Sequence, residues 1–130
     1  MANPNIVSVT SIVGGNAAWA LTNTITTTLM TVAADVIVKI NSIIVTNIHA
    51  SNAATVSIDV NGMGSGTTGV TVPGPLATCR LASTMNVPAD DSLVLIDKPI
   101  YLMEGDVLRG GASASSVLEL FASYEVINDA

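Results

Sequence analysis

Apolar and polar residues alternate along much of the chain. In TVSIDV, residues 55–60, Val56, Ile58 and Val60 share one side, and Thr, Ser and Asp occupy the other. SVLELFASYEVI, residues 116–127, repeats the pattern with an apolar set of Leu118, Leu120, Ala122, Tyr124 and Val126. A period of two is that of a β-strand. Both stretches therefore predict strands with one buried face and one face in water.

The stretch VIVKINSIIVTNI, residues 36–48, is apolar on both faces in its second half. This is expected of a central strand or of a strand covered by a neighbour. The chain also contains 16 Val, 12 Ile and 14 Thr, and their branched Cβ atoms favour strands over helices. We therefore expect a fold that is nearly all β.

Turn-forming residues separate these runs at short intervals. They occur in GGN at 14–16, HASNAA at 49–54, VPADD at 87–91, EGD at 104–106 and GGASAS at 110–115. Short strands at this spacing predict an antiparallel β-sandwich of jelly-roll type. We expect one such domain over residues 5–130, after a short N-terminal arm at 1–4. The Gly-rich segment 61–75 predicts a long exposed loop, and it lacks the Gly-Lys-Ser/Thr ending of a phosphate-binding loop.

Five of the fourteen charged residues fall in LIDKPIYLMEGDVLR, residues 95–109. Pro99 cannot donate to a ladder and therefore marks a strand start, with Ile100 and Leu102 facing inward. The segment Glu104-Gly105-Asp106 then predicts the turn of a hairpin, with the acids in water and VLR as the returning strand. An alternative is a calcium site built from Asp97, Glu104 and Asp106, although this spacing matches no known calcium loop.

Composition narrows the possible functions. Only 11% of the residues are charged, and the mean hydropathy is +0.60, so we expect surface to be buried against further copies or a partner. A net charge of −6 with four basic residues argues against a nucleic-acid partner. The most apolar window spans residues 36–45 and is shorter than a membrane helix, so no membrane partner is expected. No secretory signal is visible at the N-terminus.

The residues offer little for catalysis or metal binding. His49 is the only histidine and Cys79 the only cysteine, so a zinc site lacks ligands and a serine triad has one possible base. NIHASN places His49 at a strand end, where a hydrogen-bonded turn residue is the more usual interpretation. Four aromatic residues leave little to stack on sugar rings, which weakens a glycan-binding role. We therefore predict no enzyme activity, no catalytic residues, no metal site and no cofactor.

Residues 1–34 contain no Asp, Glu, Lys or Arg. One interpretation is that this segment forms ordinary inner strands of the sandwich. The other is that residues 5–32 supply a subunit or partner interface, since neutral polar groups avoid the desolvation of buried charges. In that case Trp19 is the buried anchor, and Thr24, Thr26 and Thr28 share a contact face.

Two stretches resemble small virion proteins of tailed bacteriophages. They are VIVKINSIIVTNIHASNAATVSIDV and SLVLIDKPIYLMEGDVLRGGASASSVLELFASYEVI, with an N…ATV turn, a KPIYL.EGD.L motif and a final SYE strand. The resemblance covers residues 36–127 and implies a β-sandwich on the outside of the phage particle. It implies a homotrimeric capsid decoration or cement protein that contacts the major capsid protein or another virion protein. A tail, neck or fibre component and a receptor- or glycan-binding module are the alternatives.

Overall fold

A computed structural model describes residues 10–62 and 76–128, which form nine β-strands in two antiparallel sheets. Sheet A contains β1 (Ser11–Ala20), β3 (Val36–Asn47), β6 (Ser92–Ile96), β7 (Ile100–Leu102) and β9 (Leu118–Asn128). Sheet B contains β2 (Thr28–Thr31), β4 (Ala54–Asn61), β5 (Thr78–Val87) and β8 (Val107–Ala112). The predicted all-β sandwich is confirmed. Within the described ranges there is no helix long and apolar enough to cross a membrane.

The strand order is that of a jelly roll. Sheet A runs β1-β9-β3-β6, with β7 also paired to β3, and sheet B runs β2-β8-β4-β5. Most connections cross from one sheet to the other, and β4 is followed by β5 within sheet B. The Gly-rich segment 61–75 falls in that connection. Apart from residues 61 and 62 it lies outside the described residues, as does the predicted arm at 1–4.

The core between the sheets is built from the alternating residues. Val56, Ile58 and Val60 of β4 and Leu118 and Leu120 of β9 belong to one buried cluster, and all are at most 3% exposed. The prediction of one wet face holds for the first part of β9, where Glu119 and Phe121 are exposed, but not for its end, where Ile127 on the same face is 4% exposed. It is wrong for β4, because Ser57 and Asp59 on the other face are also buried. The reason is that neighbouring strands engage both side chains: Arg109 of β8 donates to the Asp59 carboxylate, and the Thr84 amide of β5 donates to Ser57 Oγ.

The strand predicted to be central is central. β3 pairs with β9 along one side and with β6 and β7 along the other. Ile40, Ile43 and Val45 are fully buried. Ile44 points to the opposite face and is partly exposed.

The predicted hairpin around Glu104-Gly105-Asp106 does not form. β7 joins sheet A, whereas β8 joins sheet B, so the turn carries the chain from one sheet to the other. The prediction for the side chains of β7 is confirmed, since Leu102 is buried, Ile100 packs on the core and Tyr101 is exposed. Asp106 is buried instead of lying in water.

The uncharged N-terminal segment forms the two sheet edges on one side of the sandwich. Among the described strands, β1 is the terminal strand of sheet A, and β2 is the terminal strand of sheet B. The interpretation as inner strands is therefore wrong for the described part of the segment. The opposite edges meet where β5 packs beside β3 and β6. We call the side formed by β1, β2 and the turn between them the open side.

Candidate interaction surface

The turn between β1 and β2 is held by threonine hydroxyls. Thr27 Oγ1 donates to the Thr24 carbonyl at 2.8 Å, and the Thr24 amide donates to Thr22 Oγ1 at 3.3 Å. The backbone joins sheet B, because Ala112 and Gly110 of β8 donate their amides to the carbonyls of Thr22 and Thr27. The segment therefore extends the edge of sheet B beyond β2.

A glycine on β8 allows this turn to lie so close. A Cβ atom at Gly111 would overlap the carbonyl of Thr24 and the Cα of Ile25. Only a residue without a side chain fits there. The short turn is therefore fixed against the sheet by its own hydrogen bonds and by Gly111.

The three threonines of the predicted contact face are all exposed, but they do not share a strand. Thr28 is the first residue of β2, whereas Thr24 and Thr26 lie in the turn. Strand alternation across all three is therefore wrong, because the Thr22–Thr27 hydrogen bonds close a turn there. All three nevertheless lie on the open side, which contains no charged side chain from residue 10 to 34.

An apolar row crosses the outer face of sheet A next to this side. Register places Ala18 opposite Phe121, Phe121 opposite Ile44, and Ile44 opposite Val94. Directly paired residues of antiparallel strands point to the same face. Phe121 is 42% exposed and Val94 is 55% exposed. The row thus runs from β1 across β9 and β3 to β6 without a charged side chain.

Trp19 lies at the border between this row and the core. It is half-buried, pairs with Leu120 and packs against the core cluster. It also lines a shallow groove of about 400 Å³ on sheet A together with Ala18, Ile44, Glu119 and Phe121. The predicted anchor is thus already held by its own subunit, with only part of its surface left for a partner.

Charges on the outer face of sheet A stand beside the apolar row. Glu119 is exposed and pairs in register with Thr46. Toward the other end of the strands, Lys39 Nζ lies 3.8 Å from Glu125 Oε1. Charged side chains therefore lie on both sides of the apolar row along the strands, and beyond the Lys39–Glu125 pair the face ends in Ile12, Ile37 and Ile127.

His49 serves as a turn residue. Its Nδ1 accepts the amides of Ser51 at 3.2 Å and Asn52 at 3.1 Å. In a serine triad this nitrogen instead donates to an orienting carboxylate. Asn47, buried just before it, donates to the carbonyls of Asn52 and Val87 and accepts the His49 amide. The polar side chains at this end of the sandwich therefore organise loops.

The acids proposed as a calcium site are engaged elsewhere or lie apart. Glu104 accepts the amide of Asp35, and Asp106 Oδ2 accepts the amide of Met103 at 2.9 Å. Asp97 is exposed. In the described part of the chain no three His, Cys, Asp or Glu side chains are grouped so that they could hold a metal. Burial raises the pKa of Asp106, and the hydrogen bond from Met103 opposes that shift.

The apolar row contains residues that the sequence did not single out, namely Phe121, Ile44 and Val94. One sequence feature pointed to this face, since residues 36–48 are apolar on both faces in their second half. Ile44 is the apolar residue that lies on the outer face there. Which residues of other strands lie beside it depends on register, which alternation alone does not determine.

No protein-family model and no curated protein matches the chain. Among solved structures, it is similar to one described as "Bacillus endospore appendages form a novel family of disulfide-linked pili". The TM-score is 0.43 and the sequence identity is 12%, over 92% of this chain and 90% of that chain.

Proposed function

We propose that the chain is a non-enzymatic structural protein of a tailed-phage virion, and specifically a capsid decoration or cement protein. The observation that carries the proposal is the uncharged apolar row Ala18-Phe121-Ile44-Val94 on the outer face of sheet A, with Phe121 42% and Val94 55% exposed. The motifs at residues 36–127 add the resemblance to virion proteins. A sandwich with one such face is suited to lying flat on a protein lattice.

The physical task of such a protein is to bridge neighbouring capsid subunits. A ligand that binds only the assembled shell stabilises that shell by mass action. A specific protein interface of standard size buries roughly 800 Å² on each partner. Phe121 would contribute to its centre, because aromatic residues including Phe are enriched in the cores of protein interfaces. The rim would be formed by Glu119 and by the Lys39–Glu125 pair.

Density in an electron microscopy map of the parent particle tests the location. We expect the sandwich on the outer shell, with the β3–β9 face against the major capsid protein. Density confined to the tail, neck or fibres would contradict capsid decoration and support the alternative within the virion. Absence from purified particles would contradict both.

A binding experiment tests the face itself. Phe121→Asp should abolish binding to shells that lack the protein and should remove its effect on their melting temperature. Leu81→Asp on β5 is the matched control, because Leu81 is 39% exposed against 42% for Phe121 and lies in the other sheet. Equal binding by both variants would contradict this face as the contact.

A further inference from the structure

β1 lacks the features that discourage pairing at a sheet edge. An exposed edge offers unpaired amide and carbonyl groups, and proteins commonly protect it with charges, prolines, bulges or short length. β1 is ten residues long, contains no charge or proline, and keeps one register with β9 throughout. Among the described residues, β1 pairs with β9 alone.

The other terminal strands are protected. β2 has four residues and a register shift against β8. β5 shifts register twice against β4. β6 has five residues and is followed by Asp97, Lys98 and Pro99 before the three-residue β7. Protection at β2, β5, β6 and β7, and its lack at β1, indicate that the β1 edge is used.

Hydrogen bonding identifies the backbone groups on this edge. The Leu21 amide donates to the Leu118 carbonyl at 2.9 Å and continues the register in which Trp19 faces Leu120. Because hydrogen-bonded pairs alternate in an antiparallel ladder, the odd residues of β1 bond to β9. The even residues therefore direct both of their backbone groups away from the sheet. They are Ile12, Gly14, Asn16, Ala18 and Ala20.

The side chains beside these groups leave the edge accessible. Gly14, Asn16, Ala18 and Ala20 are small and neutral, and all are exposed. Ile12 is 55% exposed, and the adjacent Val13 is 58% exposed. An incoming strand would meet no charge and would cover two apolar side chains.

We infer that β1 pairs antiparallel with β1 of a second copy of this chain, across a two-fold axis at Asn16. In this register Asn16 faces Asn16 of the second copy, Gly14 faces Ala18, and Ile12 faces Ala20. All five outward residues then form hydrogen-bonded pairs, about ten bonds in total at two bonds per pair. The two A sheets become one continuous sheet.

The partner of β1 can be inferred from the edge strands of the two sheets. A head-to-tail contact would require β1 to pair with β2, β5, β6 or β7 of the next copy, and the features described above protect all of these edges. A two-fold contact uses the same unprotected strand twice. It is distinct from the three-fold symmetry implied by the virion resemblance, and it does not rest on the proposed virion role, because it concerns the purified chain.

Light scattering on the purified full chain tests the inference. Wild type should have the mass of an even number of 13.2 kDa chains. Asn16→Lys and Asn16→Asp should each raise the concentration for half-dissociation by at least about tenfold, since like charges would face each other across the axis. An equimolar mixture of the two variants should recover the wild-type mass, because Lys then faces Asp.

The controls keep folding and pairing separate. Asn86→Lys and Asn86→Asp change an exposed asparagine on β5 and should leave the mass unchanged. Ala18→Pro removes one outward amide without adding charge and should also dissociate the pair. Circular dichroism should be that of wild type for every variant. A wild-type mass of one or three chains across dilution, unchanged masses for both Asn16 variants, or no recovery in the mixture would each overturn the inference.

Discussion

Arg109 donates two parallel hydrogen bonds to the carboxylate of Asp59, from Nε to Oδ1 at 2.8 Å and from Nη2 to Oδ2 at 3.0 Å. The Asp59 side chain is 5% exposed and that of Arg109 is 20% exposed. These hydrogen bonds raise the pKa of Arg109 above its ordinary value. The pair joins β4 to β8 on the outer face of sheet B, and it explains one of the charges clustered at residues 95–109.

Removing the guanidinium should destabilise the fold. We expect Arg109→Met to lower the melting temperature by several degrees, because it leaves the Asp59 carboxylate buried without its partner. Arg109→Lys should lie between wild type and Arg109→Met, since an ammonium cannot reproduce the two parallel bonds.

The double variant Asp59→Asn/Arg109→Met should recover part of the loss, because no unpaired charge remains. Arg80→Met is the control, since Arg80 also lies opposite Asp59 but is exposed. Thermal unfolding followed by circular dichroism measures all four. Equal effects of Arg80→Met and Arg109→Met would contradict the role of the pair.

Asp59 also marks the limit of prediction from the sequence. Alternation with Val56, Ile58 and Val60 correctly assigned β4 and its core face. The same alternation placed Asp59 in water, because it carries no information about which strands flank β4. The burial of Asp59 depends on β5 and β8, and its partner Arg109 is fifty residues away in the sequence.

The turn at Glu104-Gly105-Asp106 is a second case in which the local sequence predicts an element but not its partners. Gly105 has φ of +87°, so the turn and its glycine were predictable from local chemistry. The placement of β7 and β8 in different sheets was not predictable, because a turn does not determine the pairing of the strands that it joins. On the candidate surface, the lack of charge was visible in the sequence, whereas the row through Phe121 required the register of four strands.

Asp106 should make stability depend on pH in the direction opposite to a salt-bridged acid. Its pKa is raised by burial, so the folded state favours the protonated form more than the unfolded state does. The associated stability is fully present below the ordinary pKa of 3.8 and is lost as pH rises through the higher pKa of the folded state.

Asp106→Asn should therefore increase stability at pH 7, because the amide oxygen can still accept the Met103 hydrogen bond without a buried charge. The advantage over wild type should shrink as pH falls toward 3.8. The difference in stability is measured by the urea midpoints of the two proteins at a series of pH values. An advantage that grows on acidification would show that the sign is wrong.

Thr84 lies on β5 with φ of +47°, a conformation that β-branched residues rarely adopt. Its amide donates to Ser57 Oγ at 3.0 Å, a bond that any residue except proline can keep. Thr84→Asn should stabilise the protein by up to about 1 kcal/mol, since asparagine tolerates this conformation. Thr84→Val, which keeps the branching, should show no gain in urea unfolding. A gain for Val equal to that for Asn would contradict strain as the cause.

Chelation should leave the melting temperature unchanged. Glu104 and Asp106 already accept backbone amides, and Asp97 is exposed. We therefore expect the same unfolding curve with calcium and with excess EDTA. A fall of several degrees in EDTA that added calcium reverses, and that Asp97→Asn abolishes, would instead establish the calcium site.

Acidic substitutions on the open side should prevent assembly while leaving the fold unchanged. The triple variant Thr24→Asp, Thr26→Asp and Thr28→Asp places three acids beside the terminal strands β1 and β2. All three side chains are exposed. The hydroxyls that hold the turn belong to Thr22 and Thr27, so the substitutions leave those hydrogen bonds intact. The variant should keep the circular dichroism of the β-sandwich.

Its assembly should fail, because a contact must then desolvate three added charges per chain in a protein that already has a net charge of −6. We expect the oligomer to dissociate in light scattering or binding to particles to be lost. Thr24→Ser, Thr26→Ser and Thr28→Ser together are the matched control and should assemble like wild type. If the acidic variant assembles and binds unchanged, the open side is not a contact, and its lack of charge is a property of a solvated, hydroxyl-rich turn and strand.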